Sequence, residues 1–161
     1  MIMISRYRLK EADGETCIIS YEISVCPICG EVLVVIGSRK RKVIGSDSGT
    51  MILTIRRLRC KECQVIHHEL PDIVIPYKRH CAETIEKVIE GDDNGVCCEA
   101  RTICRIRAWW AAYRLYFESV LASLREKFGA VLSTCPTPRE IVRTIVNVNL
   151  WIHTRSAYDA C

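Results

Sequence analysis

No stretch of this chain stays apolar for the roughly 18–20 residues that a bilayer-spanning helix needs, so no membrane span is expected. The first ten residues, Met-Ile-Met-Ile-Ser-Arg-Tyr-Arg-Leu-Lys, have no long apolar core and no small-residue cleavage site, so no export signal is read there. Internal repeats and low-complexity segments are missing as well. No Ser-His-Asp or Cys-His arrangement stands out, which leaves little support for nucleophilic catalysis. Acids are almost missing between Gly37 and Lys61. Asp47 alone faces Arg39, Lys40, Arg41, Lys42, Arg56, Arg57, Arg59 and Lys61. Such a stretch repels itself, and contact with a polyanion relieves that repulsion. The balance then reverses, with Glu83, Glu86, Glu90, Asp92 and Asp93 against Lys87.

Cysteine, by contrast, is abundant, at 11 in 161 residues. In an exported chain that count would suggest disulfides. Without an export signal, and with an odd total, reduced thiols in a cytoplasm are the expectation. Four cysteines have a shared spacing: Cys26-Pro27-Ile28-Cys29-Gly30 and Cys60-Lys61-Glu62-Cys63. Two residues between thiolates let one tight turn hold two corners of a metal tetrahedron, and two such turns complete it. A redox Cys-x-x-Cys would begin a helix, where the dipole lowers a thiol pKa. Here each pair sits beside a predicted strand, so Zn²⁺ held by Cys26, Cys29, Cys60 and Cys63 is the reading. Four thiolates leave no open position for a reactive water. His67 and His68 are possible substitute ligands within reach, but the expectation is that they face solvent or a phosphate.

Residues 17–25 are β-branched and partly alternating, which predicts a strand. Short strands are expected at 32–36, 39–44 and 51–59, with Gly37-Ser38 as a break and 45–49 as a turn. The hairpin so formed returns Cys60 and Cys63 to Cys26 and Cys29. Pro71 and Pro76 remove backbone donors, so 71–80 reads as a linker between an N-terminal unit at 1–75 and a helical unit at 76–161. A helix is predicted at 82–90, stopped by Gly91-Asp92-Asp93-Asn94-Gly95, then a short second helix at 96–100. Thr102 is the expected cap of a long helix from Ile103. That helix carries Ile106, Trp109, Trp110, Tyr113, Phe117, Val120, Leu121, Leu124 and Phe128 as a buried stripe, with Gly129 as its stop. Thr137 and Glu140 form a capping-box pair around Pro138. They open a last helix with Ile141, Ile145, Val148 and Ile152 on one face.

The order helix, turn, short helix, arginine-bearing helix is that of a helix-turn-helix. Arg101, Thr102, Arg105 and Arg107 would then meet the major groove, where arginine reads guanine edges. Arg39, Lys40, Arg41, Lys42, Arg56, Arg57 and Arg59 would meet phosphates.

The residues Cys-Pro-x-Cys-Gly at 26–30, the basic hairpin, Arg57-Leu58-Arg59-Cys60-Lys61-x-Cys63 and His68-Glu69-Leu70-Pro71 resemble the N-terminal zinc ribbon of insertion-sequence transposases. Those ribbons are typically followed by a helix-turn-helix. Much of the remainder, through Arg139-Glu140-Ile141-Val142-Arg143 and on from Asn149 to Ser156, resembles short bacterial proteins of unknown function with the same ribbon. Cys81 and Arg101 stand where Ser or Thr is usual in that group. The resemblance implies DNA binding linked to mobile elements, and possible partnership with a transposase or recombinase. It does not imply transposase activity, because residues 115–161 are too few for the acidic-triad nuclease domain.

The resulting expectation is an α+β protein: a small antiparallel zinc ribbon followed by an all-helical helix-turn-helix unit, non-catalytic, binding double-stranded DNA with Zn²⁺ as cofactor. One rival is a zinc adaptor that docks on a transposase or transcription machinery through exposed aromatics between Trp109 and Tyr116. The other is a reduced nuclease using Asp92 or Asp93.

Overall fold

A computed structural model describes residues 1–12, 14–129 and 135–152. Six strands come first: β1 (Ile2–Ile4), β2 (Tyr7–Ala12), β3 (Glu15–Ser20), β4 (Leu33–Ile44), β5 (Thr50–Cys60) and β6 (Ile66–Pro71). Three helices follow: α1 (Ala82–Glu90), α2 (Ala100–Phe128) and α3 (Pro138–Asn147).

The α+β class holds, but the sheet is mixed rather than purely antiparallel. Its order is β1-β6-β5-β3-β2, with β4 on β5 outside that path. β5 pairs antiparallel with β4 from Thr50 opposite Ile44 to Cys60 opposite Leu33. Its other edge is shared: β3 pairs with it in parallel at Leu53 and Thr54, and β6 antiparallel at Arg57 to Arg59. β1 joins β6 in parallel. The predicted break at Gly37 is a bulge inside one long strand, where the register shifts between Val35 and Gly37. Gly37 has a φ of 149°, within reach of a residue without Cβ. The predicted turn at 45–49 forms, closed by Gly45 N–H to the Gly49 carbonyl at 2.7 Å.

Successive side chains on a strand face opposite ways, and β5 uses both faces. Leu53 and Ile55 enter the main core with Val74, Ile75, Ile85, Trp109, Phe117 and Ile145. Leu58 and Cys60 enter a smaller cluster with Ile2, Cys26 and Leu33. The main core thus draws on both sides of the boundary read at residue 75.

The stretch 71–80 is not a bare linker. Pro71 ends β6, and Val74 and Ile75 are fully buried. Its apolar triplet Ile73-Val74-Ile75 gains more from burial than a solvated connection could return. The short helix at 96–100 is also absent. Gly91 adopts a left-handed φ of 86° and closes α1 onto the Lys87 and Val88 carbonyls. Asn94 N–H bonds the Asp92 carboxylate at 3.2 Å, and Val96 N–H and Cys98 N–H return to the Asp93 and Val96 carbonyls, so short turns replace the helix. α2 starts earlier than predicted because the Glu99 carbonyl already accepts from Thr102 and Ile103 N–H. Glu99 is its N-cap and Thr102 lies inside the first turn.

Along α2, Ile106, Trp109, Phe117 and Val120 are buried, but Phe128 is exposed. Trp110, Tyr113 and Tyr116 are half-buried around Phe117, with ring centroids about 6 Å away. The aromatic surface expected for an adaptor is therefore largely folded inward. α3 begins on the predicted capping box, both halves of which are present. It docks on β1 through Asn147, whose side chain accepts from Met3 N–H at 2.7 Å and donates to the Met3 carbonyl at 2.9 Å. The end of the C-terminal motif, 153–156, and the tail beyond it lie outside the described residues.

Asn147→Ala leaves both backbone groups of buried Met3 without these partners. It should cost about 1–2 kcal/mol, measured as an earlier urea midpoint at unchanged m-value.

Candidate metal centre and basic groove

The hairpin brings the two cysteine pairs together as its spacing requires. The first knuckle precedes β4, and the second follows β5. In the first, Gly30 N–H bonds the Cys26 carbonyl at 2.8 Å; in the second, Cys60 N–H bonds the Val65 carbonyl at 3.0 Å. Both turns place the residue after the second cysteine in the left-handed region: Gly30 at φ 79° and Gln64 at φ 59°. Glycine accepts that geometry freely, and glutamine holds it at a strain cost.

The ligand atoms of Cys26, Cys29, Cys60 and Cys63 all lie within 4.8 Å of one another. Cys26 Sγ is 3.6 Å from Cys63 Sγ, and Cys29 Sγ is 3.4 Å from Cys60 Sγ. Four sulfurs at zinc–thiolate bond length around a tetrahedral ion would stand about 3.8 Å apart, so the arrangement fits a four-coordinate metal. Among the described residues this is the one group of His, Cys, Asp and Glu side chains so gathered.

The thiols' electrostatics point the same way. Burial opposes ionisation of Cys26, but the backbone N–H groups of Cys29 and Ile28 and the thiols of Cys63 and Cys29 outweigh it and pull the group to about 7. Cys29 is pushed up to about 12: Glu31 N–H favours its thiolate, and the Cys60 thiol and burial override that. The surroundings therefore favour the thiolate at Cys26 and oppose it at Cys29.

His67 is a correction to the sequence reading. It is buried rather than solvent-facing, with Nε2 3.5 Å from Cys26 Sγ and Nδ1 3.2 Å from the Met1 amino group. Burial holds its imidazole below the usual range. It supports a cysteine from outside the four-sulfur group. His68 is half-buried, and its pKa is lowered by burial and then by Arg39, Arg57 and Arg41.

The predicted DNA-contact residues divide into two sets. Several are engaged internally. Arg56 makes two 2.6 Å bonds to Glu69, which is 1% exposed and also accepts from Ser24 Oγ. Arg41 donates to the Ile75 carbonyl at 2.8 Å and the Lys78 carbonyl at 2.9 Å. Lys40 pairs with Glu15, and Arg107 forms a two-point pair with Asp93. Arg39, Lys42, Arg59, Arg101 and Arg105 are exposed, and Arg57 and Thr102 are half-buried.

Two adjoining hollows gather much of this charge. One, of about 420 Å³, is walled by Arg39, Lys40, Arg41, Lys42 and His68. The other, of about 630 Å³, lies at the start of α2, with Thr102, Arg105, His80 and Cys98 on its wall and Ile44, Ile85 and Ile106 beneath. Tyr77, Lys78 and Arg79 line both. Lys78 is buried against the Trp109 ring, 4.1 Å from its centroid, and burial pulls its amine down to about 7. Residues 77–80 were missed as functional candidates. The signal was Tyr-Lys-Arg-His directly after Pro76, hidden by reading the stretch as a linker.

In the hollow at α2, Cys98 Sγ lies 3.3 Å from His80 Nδ1. Burial pushes that thiol up, which disfavours its thiolate form. Asp92 and Asp93, the acids of the nuclease reading, are exposed, and Asp93 is held by Arg107. No helix among the described residues is long and apolar enough to cross a membrane.

The model of one family, described as a domain of unknown function (DUF6431), matches residues 26–107, from the first metal-site cysteine to the second turn of α2. No curated protein and no solved structure matches the chain.

Two outcomes follow from this geometry. Cys60→Ser should lose bound metal and loosen the hairpin, whereas Cys98→Ser should keep it. Metal analysis of both purified variants checks this, and full stoichiometry in Cys60→Ser would contradict the ligand set. Arg56→Met strands the Glu69 carboxylate. It should destabilise the fold by about 2–4 kcal/mol, somewhat less than for a fully enclosed pair because Arg56 is 32% exposed. An unchanged denaturation midpoint would contradict a structural role for this arginine.

Proposed function

The chain belongs to the DUF6431 family, a domain of unknown function, and we propose that this member is a zinc-dependent, non-catalytic protein that binds double-stranded DNA. Zinc is the metal best suited to four thiolates in a closed tetrahedron, and its part is structural. It would tie the open ends of β4 and β5 together and so stiffen the basic hairpin. The observation that carries the DNA reading is the pair of joined hollows, which links exposed hairpin cations to the first turn of α2. Phosphates bind along such tracks because each neutralised charge releases a counterion.

In this reading Arg39, Lys42, Arg57 and Arg59 grip the backbone. Arg101, Thr102 and Arg105 approach from the α2 N-terminus, where backbone N–H groups also favour an anion. Arg41, Arg56 and Arg107 serve the fold, and Lys40 is shared with Glu15. A helix-turn-helix docking remains part of the proposal in a modified form. α1 and α2 flank residues 91–99, longer than the about 3–4 residues of the usual turn. The ribbon's resemblance to insertion-sequence transposases favours DNA over other polyanions and supports a mobile-element setting, with a transposase or recombinase as a candidate partner.

Binding of the metal-loaded chain to random duplex should fall steeply with salt. Arg39→Ala and Arg105→Ala should each lower the slope of log affinity against log salt by about 1. No measurable affinity at low salt would favour the adaptor reading. Metal-dependent nicking abolished by Asp92→Ala and Asp93→Ala would replace the reading with an enzyme.

A further inference from the structure

We propose that the basic hollow beside the hairpin is a binding site for a nucleoside triphosphate and, resting on the DNA reading above, that the triphosphate competes with DNA for the hairpin cations. The hollow, of about 420 Å³, has an outer and an inner set of cationic groups. Arg39, Lys42 and Arg79 are exposed at its rim. Arg41, His68 and Met1 are half-buried on its wall. No Asp or Glu lines it, and among the described residues Arg39, Lys42 and Arg79 have no carboxylate partner. Lys40 alone on this wall is answered, by Glu15. Ile55 and Leu70 lie beneath, each 2% exposed. Charge of one sign over a low-dielectric floor focuses its field into the hollow.

The crowding of cations reaches the inner groups. Burial and then Arg39 lower the Arg41 pKa. Burial, and then Arg39, Arg57, the Met1 amino group and Arg41, lower that of His68. An anion between these groups relieves the crowding. Arg41 meets the Ile75 and Lys78 carbonyls through Nη2, so the donors on its Nε and Nη1 remain for a ligand. The wall is also held in advance. The Arg79 carbonyl accepts from Ile44 N–H at 2.8 Å, and Cys81 N–H returns to the Ile44 carbonyl at 2.8 Å. The segment bearing Arg79 is thereby pinned to the end of β4, which lowers the ordering cost of binding. A stiff duplex bears on the rim and does not enter a hollow of small-molecule size. A triphosphate chain enters it and meets both sets of cations. The adjoining hollow, of about 290 Å³, shares Met1 and His68 and adds Ile66, Val146 and Asn149. Its apolar sides give room for a nucleoside, and the Asn149 amide can donate to and accept from a base edge.

The test titrates the full metal-loaded chain by calorimetry, in magnesium-free buffer, with ATP, GTP, AMP and inorganic tripolyphosphate. ATP or GTP should bind at one site per chain, about tenfold or more tighter than AMP, since the added phosphates meet charged donors. Arg79→Ala and His68→Ala should each weaken that binding about tenfold. Arg59→Ala, which lines neither hollow, should weaken duplex binding and leave triphosphate binding within about twofold. Saturating triphosphate should release a labelled duplex. Tripolyphosphate matching both nucleotides would overturn the nucleoside assignment. Triphosphates no tighter than AMP, or full affinity in both Arg79→Ala and His68→Ala, would overturn the site while the DNA reading stands. Duplex that stays bound at saturating triphosphate would overturn the competition. Triphosphate binding without duplex binding at low salt would support the site and overturn the DNA reading.

Discussion

Four thiolates within 4.8 Å of one another repel unless a cation sits among them. The chain nevertheless builds two matched turns to gather these cysteines, each turn paired to its own backbone and each carrying a left-handed residue after its second cysteine. The small cluster of Ile2, Leu33 and Leu58 closes around Cys26 and Cys60, so the centre is packed as well as spaced. A clamp at this point fixes where β4 and β5 begin and end relative to each other. The bulge at Gly37, the exposure of Arg39 and Lys42, and the position of Ile44 against residues 79–81 all depend on that register.

The charges beyond the clamp separate into structure and surface. Glu69 is buried and answered by Arg56 and Ser24. Asp93 and Glu15 answer Arg107 and Lys40. The cations at the hairpin rim are left over, and they add to burial in lowering the His68 pKa. Self-repulsion of the whole hairpin is therefore milder than its composition suggests, and it is concentrated on one track. That concentration, rather than the total charge, is what favours the proposed contact with DNA.

The metal site was legible because ligand chemistry is local: two residues between cysteines dictate a turn, and four such sulfurs dictate convergence. The Thr137–Glu140 box and the Gly129 stop were legible for the same reason, since caps are satisfied within one turn. The parallel pairings of β1 with β6 and β3 with β5 were not, because nothing in Ile2-Met3-Ile4 names a partner as distant in the chain as Glu69 to Pro71. Pro71 and Pro76 misled: they set extended backbone, but whether extended chain is linker or core depends on what packs against Val74 and Ile75. His67 misled too, since a histidine in a polar-looking run gives no sign that it will be buried against Cys26.

Zinc K-edge X-ray absorption on the protein as isolated tests the clamp most directly. The account predicts one zinc per chain surrounded by four sulfurs at about 2.3 Å. A shell containing nitrogen in place of sulfur, which would bring His67 or His68 into the ligand set, or a chain that keeps its fold and binds no zinc, would contradict it.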